Sequence, residues 1–252
     1  MTERNTNASD QPQRVLITGA ASGIGASTVK TMRAAGAQIA GIDIDAAGLA
    51  GLDLDHAETA DVSDDAAVGH AIDRSVEALG GLDVLVCAAG IVARGDVTTV
   101  DLATWQRVFA VNVGGAFHAA RHAVAHLRQA GGGAIVFIAS QLGLVGTPNA
   151  AAYCASKGAV IQLARAMALD HGAEAITVNA VCPGPTDTPM LQRFFDASGD
   201  AARERRTFED LMPIGRLVEP TEVAAAVAYL ASPAARGVTG SVVVVDGGYV
   251  AR

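Results

Sequence analysis

Short apolar runs alternate along this chain with longer stretches in which apolar residues return every three or four positions. Residues 14–18 (Arg-Val-Leu-Ile-Thr) form the first run and lead directly into a glycine. A run without polar alternation predicts a strand buried on both faces. Positions 24–35 then carry helical periodicity and stop at Gly36, a residue suited to a helix end. The same reading predicts strands at 38–43, 83–87, 133–139, 176–181 and 241–246, with a weaker third strand ending at 61–62. Helical patterns fill 64–79, 101–129, 151–171 and 220–231, with Pro220 suited to a first turn and Pro233 just past the end. Strand–helix alternation of this kind predicts right-handed βαβ units around a parallel sheet.

Two stretches depart from the alternation. Residues 1–13 are polar without an apolar core, which predicts a flexible N-terminal tail rather than a signal peptide, with one domain over 14–252. Residues 190–217 are mixed and carry Phe194, Phe195, Phe208 and the charged Arg203-Glu-Arg-Arg206 segment. An insertion of that length between the last two strands predicts a substrate lid.

Composition narrows the function classes. Half of the 252 residues are hydrophobic, 17% are charged, and the net charge is −8. That balance argues against nucleic acid or an anionic membrane as partner, and no run reaches the ~20 apolar residues of a membrane span. The cysteines, Cys87, Cys154 and Cys182, are odd in number and form no CxxC pair. Disulfides and a cysteine-built metal site are therefore not expected, and a reducing, cytoplasmic setting is. His118, His122 and His126 recur every four residues, but without an HExxH pattern. They are expected to lie on a surface or an interface rather than to bind a metal.

The chemistry-bearing residues lie at the junctions. Thr18-Gly19-Ala20-Ala21-Ser22-Gly23-Ile24-Gly25 connects the first strand to the first helix. Glycines there let backbone N–H groups approach a phosphate at a helix N-terminus. The spacing is GxxxGxG rather than GxGxxG. Asp43 ends the second strand, where a carboxylate can accept from an adenosine ribose and repel a 2′-phosphate, so NAD is expected over NADP. The chain has only two lysines, Lys30 and Lys157, against sixteen arginines. Lys157 lies four residues after Tyr153, so the two share a helix face. A nearby ammonium is expected to favour the phenolate and make the tyrosine a proton donor and acceptor near neutral pH.

With these pieces in order, residues 14–250 resemble the short-chain dehydrogenase/reductase family in its subgroup of about 250 residues. Thr18–Gly25 is similar to the family's TGxxxGxG loop, which implies cofactor contacts at Gly19, Ser22, Gly23, Ile24 and Gly25. Asp61-Val62 resembles the acidic–apolar pair that meets adenine. Pro183-Gly184, Thr186 and Thr188 resemble the segment that holds the nicotinamide amide. The resemblance implies a catalytic tetrad of Asn112, Ser140, Tyr153 and Lys157. Tyr153 would be the general acid/base, Ser140 the donor to the substrate oxygen, Lys157 the ribose-binding cation, and Asn112 the holder of a water leading to solvent. After the fourth strand the family often has Asn-Asn-Ala-Gly, whereas this chain has Cys87-Ala88-Ala89-Gly90. Ala88 and Gly90 are still expected at the cofactor, but Ala88 cannot make an asparagine's structural bonds.

The resemblance implies a single-domain, Rossmann-like, doubly wound α/β fold with seven parallel strands ordered 3-2-1-4-5-6-7. It also implies a homotetramer, with helices 101–129 and 151–171 in one interface and the small residues Gly114, Gly115, Ala116, Ala119 and Ala120 permitting close approach. The expected activity is NAD(H)-dependent interconversion of a secondary alcohol (a sugar, polyol or other hydroxy compound) and its ketone. Arg94, Gln141, Asn149 and Phe194 are the expected substrate contacts. A ketoacyl-type reductase and a non-catalytic NAD(H) sensor are the alternatives.

Overall fold

The first strand, β1 (Arg14–Thr18), pairs in parallel with β2 (Gln38–Asp43) on one side and with β4 (Val84–Cys87) on the other. It is therefore the strand from which the chain winds in both directions. The computed structural model describes residues 11–251, so residues 1–10 of the expected tail lie outside the described residues. β3 (His56–Thr59), β5 (Gly133–Ile138), β6 (Ile176–Pro183) and β7 (Val242–Val245) complete one seven-stranded parallel sheet in the order 3-2-1-4-5-6-7. The alternation of runs and the expected strand order both hold.

Side-chain alternation along the strands divides the core in two. Leu16, Leu85 and Phe137 point to one face, with α3 (Asp65–Leu79), α5 (Gly115–Gln129) and α6 (Ala151–His171). Val15, Ile17, Val84 and Val86 point to the other, with α1 (Gly23–Ala34), the short α2 (Ala46–Ala50) and α9 (Pro220–Ala231). Both faces of the sheet are thus covered by helices. This is why the strands read as continuous apolar runs.

Several boundaries differ from expectation. β3 stops at Thr59, paired with Asp43, so Asp61 and Val62 lie beyond the sheet. There the Asp61 carboxylate accepts both the Ser63 amide (2.9 Å) and the Ser63 hydroxyl (2.7 Å), a side-chain turn that ends the strand. The expected helix at 101–129 is α4 (Leu102–Phe109) followed by α5, joined through a π-helical turn at Ala110–Gly114. The stretch 190–217 contains two helices, α7 (Pro189–Asp196) and α8 (Ala201–Asp210).

The small residues of α5 face inward. Ala119 and Ala120 are fully buried. A Cβ on Gly115 would come 2.6 Å from a methyl of Val62. These positions let α5 lie close to α3 and the sheet, so they are not the expected outward stripe. The three histidines lie at the part-exposed surface of α5, as expected: His122 bonds Asp65 and His126 bonds Asp73 of α3, each at 2.9 Å, and His118 contacts the Val62 carbonyl at 3.0 Å. Among the described residues no cluster of potential metal ligands occurs, and no helix is long and apolar enough to cross a membrane.

Candidate active site

The carboxyl ends of the strands open into a cleft of about 530 Å³. The winding direction reverses between β1 and β4, and open α/β sheets bind ligands at such a point. The glycine loop forms one wall. Gly19 has φ +71° and Gly23 φ +52°, a left-handed backbone that glycine adopts without strain. A Cβ on Gly19 would come within 2.6 Å of the Ala88 backbone, and one on Gly25 would collide with the Gly19 carbonyl oxygen. The loop therefore packs backbone against backbone. Ser22 caps α1 without a side-chain bond, and the first turn of that helix faces the cleft beside Ile24. Such an amide-rich, positively polarised end suits a diphosphate.

Asp43, Asp61 and Val62 line the next part of the cleft. The Asp43 carboxylate accepts the amides of Ala21 (2.9 Å) and Asp45 (3.0 Å), so it anchors the glycine loop while keeping lone pairs for a further donor. Burial would raise the Asp61 carboxyl, but hydrogen bonds from Ser63 and Arg107 outweigh it and hold the group below its usual range. Ala88 and Gly90 follow β4, with the Ala88 amide donating to the Thr18 carbonyl (2.9 Å). A backbone bond thus joins β4 to β1 at the position where the family's asparagine is missing.

Ser140, Tyr153 and Lys157 meet at the floor of the cleft. Ser140 lies two residues past β5 in an extended conformation, and its hydroxyl accepts the Leu142 amide at 3.1 Å. Tyr153 and Lys157 lie one turn apart on α6, with the ammonium 5.8 Å from the phenol ring centre. Lys157 Nζ donates to the Ile138 carbonyl at 2.8 Å. Burial pushes the Lys157 ammonium down to about 8. The expected lowering of the Tyr153 pKa is not met. Desolvation raises the phenol above its ordinary value, and only the Ser140 hydrogen bond opposes it. The Lys157 ammonium is directed at the Ile138 carbonyl and makes no hydrogen bond to the phenol among the described residues.

Asn112 sits in the π-helical turn and is 2% exposed. Its amide nitrogen donates to the Ile91 carbonyl (2.9 Å) and the Ser156 hydroxyl (3.0 Å), and its oxygen accepts the Ile91 amide (2.8 Å). The side chain is therefore committed to the loop after β4 and to α6. A Cβ on Gly90 would come 3.3 Å from Asn112 Oδ1 and 3.4 Å from Lys157 Nζ, so the three converge on one point.

Pro183 ends β6, Thr186 Oγ1 donates to the Gly184 carbonyl (2.9 Å), and Thr188 caps α7. All three border the cleft. Gln141 is 4% exposed, and its Oε1 has no hydrogen-bond partner among the described residues. A Cβ on Gly184 would lie 2.8 Å from that oxygen, so glycine there keeps the approach open. Arg94 lies over the Phe194 ring at 3.7 Å, and Phe194 packs edge-on to Phe195 and Phe208. Asn149 has φ +57°, a left-handed conformation rare outside glycine that asparagine tolerates best, and its carbonyl holds the Gly95 amide. Sequence reasoning missed Arg193, Arg107 and Tyr249, which also line the cleft. Arg193 adjoins Phe194 and was legible as part of the lid. Tyr249 follows two glycines near the chain end and carries no local signal.

Comparisons with known proteins agree with this architecture. A family model described as enoyl-(acyl carrier protein) reductase matches residues 19–250. The cis-4-hydroxycyclohexanecarboxylate dehydrogenase of Sinomonas cyclohexanicum is 41% identical over 245 residues, covering 94% of this chain and 96% of the relative. Galactitol 2-dehydrogenase (L-tagatose-forming) of Cereibacter sphaeroides is 42% identical over 245 residues, covering 92% and 93%. The ligand-free aldohexose dehydrogenase of Thermoplasma acidophilum superposes with a TM-score of 0.91 at 32% identity, covering 96% of this chain and 95% of that one. Match, relatives and superposed structure all span nearly the whole chain, which is therefore a member of the short-chain dehydrogenase/reductase family.

Proposed function

We propose that the protein is an NAD(H)-dependent oxidoreductase that interconverts a secondary alcohol and its ketone. The observation carrying this reading is the meeting of Ser140, Tyr153 and Lys157 in one cleft whose far wall is the glycine loop. The residues fit a dinucleotide. The glycine loop is tightly packed on the chain's own backbone at Gly19 and Gly25 with the first turn of α1 facing the cleft, and Asp43 offers an acceptor for a ribose hydroxyl without a neighbouring cation to favour a 2′-phosphate. Asp61 and Val62 flank the adenine end. Ala88, Gly90, Pro183, Thr186 and Thr188 border the nicotinamide end.

When bound, NAD supplies the acceptor, and NADH the donor, of hydride. The remaining work falls to the chain. Tyr153 gives its hydroxyl proton to the carbonyl oxygen in reduction and takes it from the alcohol in oxidation. Ser140 donates to the same oxygen and stabilises its developing charge. Lys157, charged below about pH 8, would hold the cofactor ribose and lends positive potential to the site. Asn112 holds the Ile91 loop and Ser156, and so sets the position of Lys157 on α6. Gln141 Oε1, buried and unpartnered, is an acceptor for a substrate hydroxyl. Helices α7 and α8 form the lid over that end.

The relatives act, by name, on a hydroxycarboxylate and a hexitol, both of which carry secondary hydroxyl groups. The description of the matched family model favours a second reading, reduction of acyl-carrier substrates. A net charge of −8 opposes docking of an acidic carrier, so the small alcohol is preferred. A homotetramer in a reducing cytoplasm fits the exposed Phe117 on α5, Leu169 on α6 and the edge strand β7, together with the free cysteines. The test is an initial-rate screen of secondary alcohols, polyols and their ketones with NAD(H). Turnover that disappears in Tyr153→Phe supports the proposal. Tight NADH binding without turnover of any member would make the protein a sensor instead.

A further inference from the structure

The substrate end of the cleft has an uncompensated positive charge. Three arginines line the cleft: Arg94, Arg107 and Arg193. Arg107 is neutralised by Asp61 at 3.0 Å. Arg94 and Arg193 have no carboxylate partner among the described residues. Among the described residues the only acidic ones lining the cleft are Asp43 and Asp61, beside the glycine loop. Both side chains are exposed, so water solvates them in the free protein, and their positive potential at the cleft is free to attract an anion.

Arg94 is also held in place. Its guanidinium lies 3.7 Å over Phe194, which Phe195 and Phe208 clamp edge-on at centroid distances of 6.1 and 5.5 Å. Arg205 ties α8 to the segment before α7 through Asp187 (2.8 Å), with Glu209 one turn on in α8 holding its guanidinium (2.9 Å). The same cleft is also lined by the apolar residues Leu142, Phe194, Phe208 and Leu211.

We propose that the physiological substrate is a secondary alcohol bearing a carboxylate, which Arg94 and Arg193 hold while an apolar spacer rests on Phe194, Phe208 and Leu211 and the carbinol reaches Tyr153. A planar guanidinium matches a carboxylate with two parallel hydrogen bonds, and the pinned Arg94 loses little freedom in making them. The inference rests on the dehydrogenase reading of the same cleft and names its substrate class.

The experiment compares kcat/KM with NAD for 4-hydroxycyclohexanecarboxylate, its primary amide and cyclohexanol, at low and high salt. The expected result is at least a tenfold preference for the acid over the amide, shrinking as salt rises. In Arg94→Gln and Arg193→Gln the acid-to-amide ratio should fall at least tenfold, and Arg94→Lys should keep part of it. Equal turnover of acid and amide, or turnover of neutral alcohols with the acid inert, overturns the inference and leaves the dehydrogenase reading standing. Failure of every alcohol, polyols included, despite NADH binding overturns both. If the glutamine variants instead raise the NADH dissociation constant and leave the acid-to-amide ratio unchanged, the arginines serve the cofactor diphosphate and the inference fails.

Discussion

The carboxylate of Asp43 accepts the amide of Ala21 at 2.9 Å, so the group expected at the cofactor ribose also anchors the glycine loop. The two roles are compatible, because a carboxylate has about four acceptor sites and two are taken. They make Asp43→Ala a compound change. The variant should narrow the preference for NAD over NADP by relieving repulsion of a 2′-phosphate, and should weaken binding of both cofactors through the loosened loop. Ratios of kcat/KM for the two cofactors, with each dissociation constant, measure the effects separately. Equal use of both cofactors by the wild type would remove Asp43 from this role.

Tyr153→Phe should lose more than ~99% of turnover while NADH still binds, because the ring and Lys157 remain. Retention of a tenth of kcat would correspond to only ~1.4 kcal/mol of barrier, too little for a group that carries the proton. Lys157→Arg should fail as well. The buried ammonium donates at 2.8 Å to the Ile138 carbonyl, and a planar guanidinium does not fit that space. Stopped-flow binding of NADH alongside steady-state rates separates the two effects.

Lys157 predicts a particular pH dependence of stability. Its pKa is about 8 in the folded chain against 10.5 for the free side chain. Between those values the unfolded chain binds more protons, so folding becomes more favourable as pH rises. The penalty for burying the charge is absent above pH 10.5 and fully present below pH 8. Relative to Lys157→Met, the wild type should gain about 3 kcal/mol across this window, at ~1.4 kcal/mol per pKa unit. Urea unfolding of both proteins at pH 7.0 and at pH 10.5 reads the difference, and a difference that does not change with pH would contradict the assignment.

Gly25→Ala should impair nucleotide binding and stability together. The added Cβ would collide with the Gly19 carbonyl oxygen, and backbone cannot yield as the end of a side chain can. Overpacking of this kind costs roughly 1–3 kcal/mol. Gly36→Ala is the control. Its φ of +85° brings strain, but no atom lies within 4 Å of the added methyl, so NADH affinity should persist. Calorimetric titration of NADH into both variants makes the comparison.

The protein should be a tetramer at micromolar concentration. The faces available for contact are the outer surface of α5 at Phe117 (48% exposed) and of α6 at Leu169 (86% exposed), together with the β7 edge at Val244 (38% exposed). Phe117→Arg should lower the mass measured by light scattering. A wild-type monomer would rule out the assembly.

What the sequence by itself determined was whatever depends on near neighbours. The strand–helix alternation, the glycine loop between β1 and α1, and the one-turn spacing of Tyr153 and Lys157 are all local, and each is found where its periodicity puts it. Strand order came from the resemblance to the short-chain dehydrogenase/reductase family, because right-handed crossovers alone leave several orders open. Tertiary structure alone decided which face of an element meets which distant partner. Periodicity could not say that the alanines of α5 and its histidines turn toward α3, since an inward and an outward small-residue stripe read alike. Nor could it show the Asn112 amide spent on Ile91, twenty-one residues away, or the Gln141 oxygen left without a donor. The balance at Tyr153 turned on the same distinction. The helical spacing put a cation nearby, but desolvation by packed neighbours outweighs it, and packing is set by residues far apart in the chain.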